Sequence, residues 1–379
     1  MRLFRLIRFY FEISKALFRI IFYLSKKCKK LLICVSIFIL FVYIFFGFLI
    51  ALFATLSGIL YIIYNFCDYL LYNPNDPIDS RTNVLSPMAF NLSFESHFIT
   101  TEDNININVL LIKRPENEYK FCPTIIYFHG NAGNIGHRLQ NCYEIYHEIC
   151  CNILLVEYRG YGLSEGQPSE SGFYSDASAA LDYLIGRPDI DSTKIIVFGR
   201  SLGGAVAIEL AKSGKQRERI SALIIENTFT SIPEISRTLF NCRLIRHVPN
   251  WFYKNQFSSV SKMSSITVPT LFISGLSDEL IPSSMMTTLY MLCSSVNKQL
   301  HRLDSGTHNF TWKCHNYYHI IRLFLGQLFQ QSVPNYGMTS HQTTTTSTAT
   351  GSPLLLNQSL ITFDDINRQT LRTNKTIDI

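Results

Sequence analysis

From Thr124 onward, short strand-like runs recur along the chain, five of them mostly apolar, TIIYFH (Thr124 to His129), NILLVEY (Asn152 to Tyr158), KIIVF (Lys194 to Phe198), ALIIE (Ala222 to Glu226) and TLFIS (Thr270 to Ser274), and a sixth more polar, KQLHRL (Lys298 to Leu303). They are rich in β-branched and aromatic residues and alternate with helical stretches, so they predict short strands separated by helices. Such an order predicts an α/β fold, a mostly parallel central sheet flanked by helices on both faces. Upstream, Asn91 to Ile99 and Asn104 to Arg114 alternate apolar and polar positions around a Thr-Thr-Glu-Asp turn, which predicts an antiparallel pair. In this kind of sheet, ligands sit outside the carboxyl ends of the strands.

The N-terminal pattern differs. Charges at 2, 5, 8, 12, 15 and 19 fall within about 140° of one helical face. This suits a basic amphipathic helix on a membrane surface or, equally, the cationic flank of a signal anchor. Leu31 to Tyr64 carries no charge. At about 1.5 Å per residue the run would make a helix of about 51 Å, against roughly 30 Å of bilayer hydrocarbon. One transmembrane helix with an apolar extension is expected, with a two-helix hairpin as the alternative. Lysines before it and Asp68 and Asp76 after it predict a single-pass type II topology. The N-terminus is then cytosolic and the main domain luminal or extracellular, in the endoplasmic reticulum or another secretory-pathway membrane. The expected organisation is a basic segment 1–30, a signal anchor 31–64, a linker 65–89 with Pro74, Pro77 and Pro87, a main domain 90–331, and a Thr/Ser-rich disordered tail 332–379.

Charge sharpens this division. The chain carries a formal +6, but residues 1–30 hold nine basic side chains and one acid, which leaves the remainder at −2. The main domain therefore gives no case for nucleic-acid binding. Ten cysteines show no paired C-x-x-C and no histidine cluster at metal-ligand spacing, so no metal or organic cofactor is expected. Most of these cysteines read as small buried residues, disulfides remain open for a luminal domain, and Cys28 and Cys34 are placed for S-acylation.

The candidate chemistry centres on Gly199-Arg200-Ser201-Leu202-Gly203, between the strand-like KIIVF and the Ala- and Leu-rich SLGGAVAIELAKSG. Strand, sharp turn and helix around G-x-S-x-G form a nucleophile elbow, which makes Ser201 the candidate nucleophile. Serine needs a base, and the base a carboxylate to orient it. His308 follows KQLHRL and Asp278 follows TLFIS, in the order Ser, Asp, His that belongs to this arrangement. Glu226 is the competing acid. Oxyanion donors are expected from the Leu202 amide and from the loop His129-Gly130-Asn131-Ala132-Gly133-Asn134, with Asn131 chosen ahead of Ala132. That loop lacks the Lys-Ser/Thr of a phosphate-binding P-loop. Asn227 to Pro269, with Trp251, Phe252, Tyr253 and Phe257, is either a cap over the site or an ordinary connection. Arg159 and Arg200 either meet an acidic substrate group or tie loops together. Sequons at Asn91, Asn309, Asn357 and Asn374 are glycosylation candidates on the luminal side.

HGNAGNIGHR, VEYRGYGLSEG, GRSLGG, ENTFTSI, SGLSDELIP and GTHNFTW, in this order, resemble the group of α/β-hydrolase domain-containing protein 13 and its close relatives. The likeness spans roughly 61–330, and the long Thr-rich tail departs from it. The resemblance implies an α/β-hydrolase fold, a Ser201, Asp278, His308 charge system, type II topology and serine hydrolase activity; acyl-protein thioesterase activity is suggested by the wider group. The expected function is a membrane-anchored serine hydrolase acting on an acyl ester or thioester of a membrane lipid or lipidated protein. A catalytically silent scaffold and a serine peptidase are the alternatives.

Overall fold

The computed structural model describes residues 29–329 apart from 213, 215–217 and 241–242. The basic N-terminal segment and the tail with Asn357 and Asn374 lie outside the described residues. The chain divides between Leu70 and Leu71 into two compact units.

The first unit contains α1 (Lys29–Phe46) and most of α2 (Phe48–Leu71). Gly47 separates them with φ +86, a left-handed backbone that glycine adopts at no steric cost. Hydrogen bonding nevertheless continues across the break, from Gly47 N to Tyr43 O at 3.1 Å and from Ala51 N to Gly47 O at 3.2 Å. The uncharged stretch 31–64 thus falls on two helices, the second reaching seven residues past it to Leu71. No helix among the described residues is long and apolar enough to cross a membrane. Ile37, Phe38, Ile44, Leu49, Phe53 and Tyr61 are all exposed large apolar side chains of this unit.

The second unit is built on one sheet of β1 (Phe94–Thr100), β2 (Asn106–Ile112), β3 (Thr124–Phe128), β4 (Asn152–Val156), β5 (Ile195–Arg200), β6 (Ala222–Glu226), β7 (Thr270–Gly275) and β8 (Lys298–Leu303). Their spatial order is β1-β2-β4-β3-β5-β6-β7-β8. The β1–β2 and β2–β4 pairings are antiparallel and the rest parallel. The helices are α3 (Leu139–Ile149), α4 (Glu170–Ile185), α5 (Leu202–Lys212), α6 (Ile232–Leu239), α7 (Arg243–His247), α8 (Ser283–Leu292) and α9 (Tyr317–Phe329).

Period-two alternation puts the two faces of each strand into separate cores. Ile126, Phe128, Ile195 and Val197 pack with residues of α4, α5 and α8. Ile125, Tyr127, Ile196 and Phe198 pack with residues of α3 and α9. Because β3 and β5 to β8 run parallel, their carboxyl ends share one edge, where the loops carrying Asn131, Ser201, Asp278 and His308 emerge.

Candidate active site

Ser201 stands alone between the last residue of β5 and the first of α5, with φ 55. A non-glycine residue in the left-handed region costs roughly 1–2 kcal/mol, and the surroundings hold it there. Its N–H donates to the Glu226 carbonyl at 3.0 Å, and its own carbonyl accepts from Gly204 N at 2.9 Å and Thr228 Oγ1 at 2.7 Å. The flanking glycines are required by contact. A Cβ on Gly199 would lie 2.2 Å from the Gly203 carbonyl oxygen, and one on Gly203 would lie 2.1 Å from that of Phe128.

The structure brings the three sequence-selected side chains together. His308 Nε2 lies 3.1 Å from Ser201 Oγ, and His308 Nδ1 lies 2.9 Å from Asp278 Oδ2. Asp278 is held from behind, its Oδ1 accepting from the amides of Leu280 at 2.9 Å and Ile281 at 2.8 Å. The same carboxylate thus braces the turn after β7 through one oxygen and faces the imidazole through the other; it does not cap the next helix, whose N-cap is Pro282.

Glu226, the competing acid, is fully buried and engaged elsewhere. Burial pushes its carboxyl above the usual range, against the opposing charge of Arg200 and a hydrogen bond from Tyr317 Oη. Arg200 Nε lies 3.6 Å from Glu226 Oε1, while its Nη2 donates to the His308 carbonyl at 2.9 Å and to Asn309 Oδ1 at 2.8 Å. Arg159 is likewise occupied, donating to Asp176 from its backbone and side chain and to Asp103 from both terminal nitrogens. Both arginines tie loops together, the second of the two roles open to them from sequence.

Leu202 opens α5 and is buried, so its amide belongs to the unpaired first turn of a helix beginning directly after Ser201. Asn131 is fixed from the far side: Tyr161 Oη donates to its carbonyl at 2.8 Å and to its Oδ1 at 3.1 Å. Tyr161 was not singled out from sequence, although the YRGYG motif contains it. At the foot of this loop Tyr158 Oη donates to the His129 carbonyl at 3.0 Å.

A family model described as serine aminopeptidase, S33, matches residues 121–261, a span that contains Asn131, Ser201 and Leu202. Protein bem46 of Schizosaccharomyces pombe is 38% identical over 271 residues, covering 70% of this chain and 87% of that one. The chain belongs to the α/β-hydrolase domain-containing family. The α/β-hydrolase domain-containing protein WAV2 of Arabidopsis thaliana is also 38% identical, over 263 residues that cover 65% of this chain and 82% of that one. Among solved structures, the Pyrococcus furiosus esterase Pf2001 superposes with a TM-score of 0.54 at 20% identity, covering 65% of this chain and 96% of that chain. That likeness concerns the fold.

In this α/β-hydrolase a cavity of about 840 Å³ opens beside Ser201 and His308. The loop Gly130 to Gly133 lines one part, and Phe229, Ile235 and Leu239 line another. The segment between β6 and β7 thus does reach the cavity, but through residues other than the expected aromatics. Phe257 is buried in the core against Phe173, Tyr174 and Tyr72, Trp251 is exposed, and the Tyr253 hydroxyl meets Ser236 Oγ at 2.8 Å. Arg138 and Lys313 also line the cavity. Neither was singled out from sequence, although Arg138 closes the quoted HGNAGNIGHR motif.

Cys34, Cys122, Cys142, Cys150, Cys151, Cys293 and Cys314 are free thiols, and among the described residues no group of three His, Cys, Asp or Glu side chains is arranged to hold a metal ion. Of the described sequon asparagines, Asn91 is exposed with φ 54. Asn309 is exposed, but its Oδ1 is taken by Arg200 and its sequon threonine, Thr311, is fully buried. Glycosylation at Asn309 therefore requires access before folding is complete.

Proposed function

We propose that this chain is a membrane-attached serine hydrolase that cleaves an acyl ester or thioester through an acyl-enzyme. The observation carrying this reading is the chain of contacts from Ser201 Oγ to His308 Nε2 at 3.1 Å and from His308 Nδ1 to Asp278 Oδ2 at 2.9 Å. Ser201 Oγ attacks the carbonyl carbon while its proton passes to Nε2. Asp278 holds the imidazole by Nδ1–H and stabilises the imidazolium. The Leu202 and Asn131 amides receive the oxyanion. Nε2–H then protonates the leaving oxygen or sulfur. Water, deprotonated by the same nitrogen, releases the acid and restores Ser201.

The exposed apolar helices of the first unit support attachment to a membrane, with the folded domain on the luminal or extracellular side of a secretory-pathway membrane as the topology we favour. Within the family we favour the group of α/β-hydrolase domain-containing protein 13. Membrane placement and the apolar wall of Phe229, Ile235 and Leu239 support an acyl lipid or lipidated protein as substrate. The serine aminopeptidase description of the matching family model favours peptide hydrolysis as a second reading. The same triad serves both.

The test uses full-length protein in sealed microsomes with a fluorophosphonate probe, beside Ser201→Ala and His308→Ala. Labelling of wild type that vanishes in both variants supports the hydrolase. An unlabelled, folded wild type turns the reading into a silent scaffold. Comparison of 4-nitrophenyl acyl esters with peptide anilides separates esterase from peptidase, and a shift with peptide N-glycosidase reports luminal exposure.

A further inference from the structure

The cavity beside Ser201 holds the guanidinium of Arg138, which has no ion-pair partner among the described residues. Arg138 ends the turn Ile135–Arg138 and caps the start of α3. Its described hydrogen bond runs from Nη2 to the Ala132 carbonyl, and no carboxylate lies within ion-pair distance of it among the described residues. Its Nε is shielded from water and has no acceptor. Arg159 and Arg200 differ in that each faces a buried carboxylate, Asp176 and Glu226. Shielding a cation without a partner is costly, and proteins usually avoid it.

The surroundings deepen the imbalance. Burial and the Arg200 charge push the Arg138 pKa below its ordinary value, and Tyr127 and Glu157 offset this only in part. Glu157 already accepts from the Ile135 amide at 3.1 Å. Asp76, the carboxylate among the cavity-lining residues, is exposed at the rim. Lys313 adds a second cation at the opening, its ammonium 4.7 Å from the Phe310 ring centre and 5.1 Å from that of Trp312. A cationic wall next to a nucleophile is the complement of a substrate that brings its own negative charge.

We propose that Arg138 binds an oxyanionic group, carboxylate or phosphate, carried by the acyl substrate that Ser201 attacks. The inference rests on the hydrolase reading of Ser201 and names the substrate class for it. A guanidinium fork matches the planar oxygen pair of a carboxylate and the face of a phosphate. Because Nη2 also holds the Ala132 carbonyl, the bound anion and the oxyanion loop share one anchor. Neutral esters leave the guanidinium uncompensated.

The test uses the full chain in detergent with three esters: neutral 4-nitrophenyl butyrate, the 4-nitrophenyl hemiester of succinate, and 4-butyryloxyphenyl phosphate. Arg138→Met is expected to lower the ratio of kcat/KM for a charged ester over the neutral one by about tenfold or more, and Arg138→Lys to recover part of it. The charged ester that responds distinguishes carboxylate from phosphate. An unchanged ratio for both overturns the proposal. A readout independent of catalysis is the melting temperature with inorganic phosphate, which is expected to rise in wild type and Ser201→Ala but not in Arg138→Met. If Arg138→Met does not fold, Ser201→Ala with phosphate decides, and no rise there overturns the site. A wild type that cleaves none of the esters yet is stabilised by phosphate would sink the hydrolase reading while leaving the anion site standing.

Discussion

Arg200 donates from Nη2 to the carbonyl oxygen of His308 at 2.9 Å, so the residue before Ser201 holds the backbone of His308. The parallel register places Arg200 opposite Glu226 on β6, which supplies the counter-charge. The sheet thereby helps to hold the backbone of His308, together with Asn227 Nδ2, which donates to the same carbonyl at 3.4 Å.

Arg200→Met removes that link and leaves Glu226 buried without its cation. Stripping one partner from a buried pair costs about 3–5 kcal/mol, to be read by urea unfolding. Esterase activity should fall with it. Adding Glu226→Gln should return part of the stability, since the uncompensated carboxylate is then gone.

Asp278→Asn should leave the fold intact and reduce kcat on the order of 10⁴-fold, because an amide cannot stabilise the imidazolium or fix its tautomer. Glu226→Gln should cost far less activity. Equal losses would reassign the acid.

Gly203→Ala places a methyl group 2.1 Å from the Phe128 carbonyl oxygen. Backbone on both sides cannot yield cheaply, so a loss of about 1–3 kcal/mol or more is expected. A lowered melting temperature together with lost fluorophosphonate labelling would report it.

Glu95 on β1 gives a pH signature away from the site. Partial burial works against its charge, but hydrogen bonds with Lys113, Arg187 and His97 overcome this and hold its pKa down to about 2. Lys113 Nζ lies 2.5 Å from Oε1 and Arg187 Nη1 2.6 Å from Oε2. A folded pKa below the unfolded one gives stability that is fully present above the unfolded value of 4.5 and lost as pH falls toward about 2. Glu95→Gln should therefore be less stable near neutrality by about 1 kcal/mol, after screening by solvent. The gap to wild type should close as denaturation is measured from pH 5 down to pH 2.5.

Ile235→Trp adds bulk to the apolar wall of the cavity. Activity on an octanoyl ester should drop about tenfold relative to an acetyl ester, the scale expected when a few methylenes lose their pocket. An unchanged chain-length profile would move the acyl chain to another wall.

The eight strands are all legible in the sequence because each is either a short apolar run or an alternation of apolar and polar positions bounded by turn residues, a signal complete within a few positions. The elbow is legible for a similar reason: Gly199, Ser201 and Gly203 carry their geometry in their own spacing, and Asp278 and His308 follow predicted strand ends at short range. Other features depend on partners distant in the chain. The placement of β4 between β2 and β3 is decided by long-range pairing, to which local periodicity is blind. An uncharged run from 31 to 64 does not reveal that Gly47 adopts φ +86 and divides it. Phe257 and Trp251 read alike as aromatics, yet packing against Phe173 buries the first while the second stays exposed. Arg138 stands in the sequence as one arginine among many. Only the tertiary structure places it in the cavity of Ser201 with no carboxylate at ion-pair distance among the described residues, because the presence or absence of a counter-charge belongs to the folded surroundings and not to the chain.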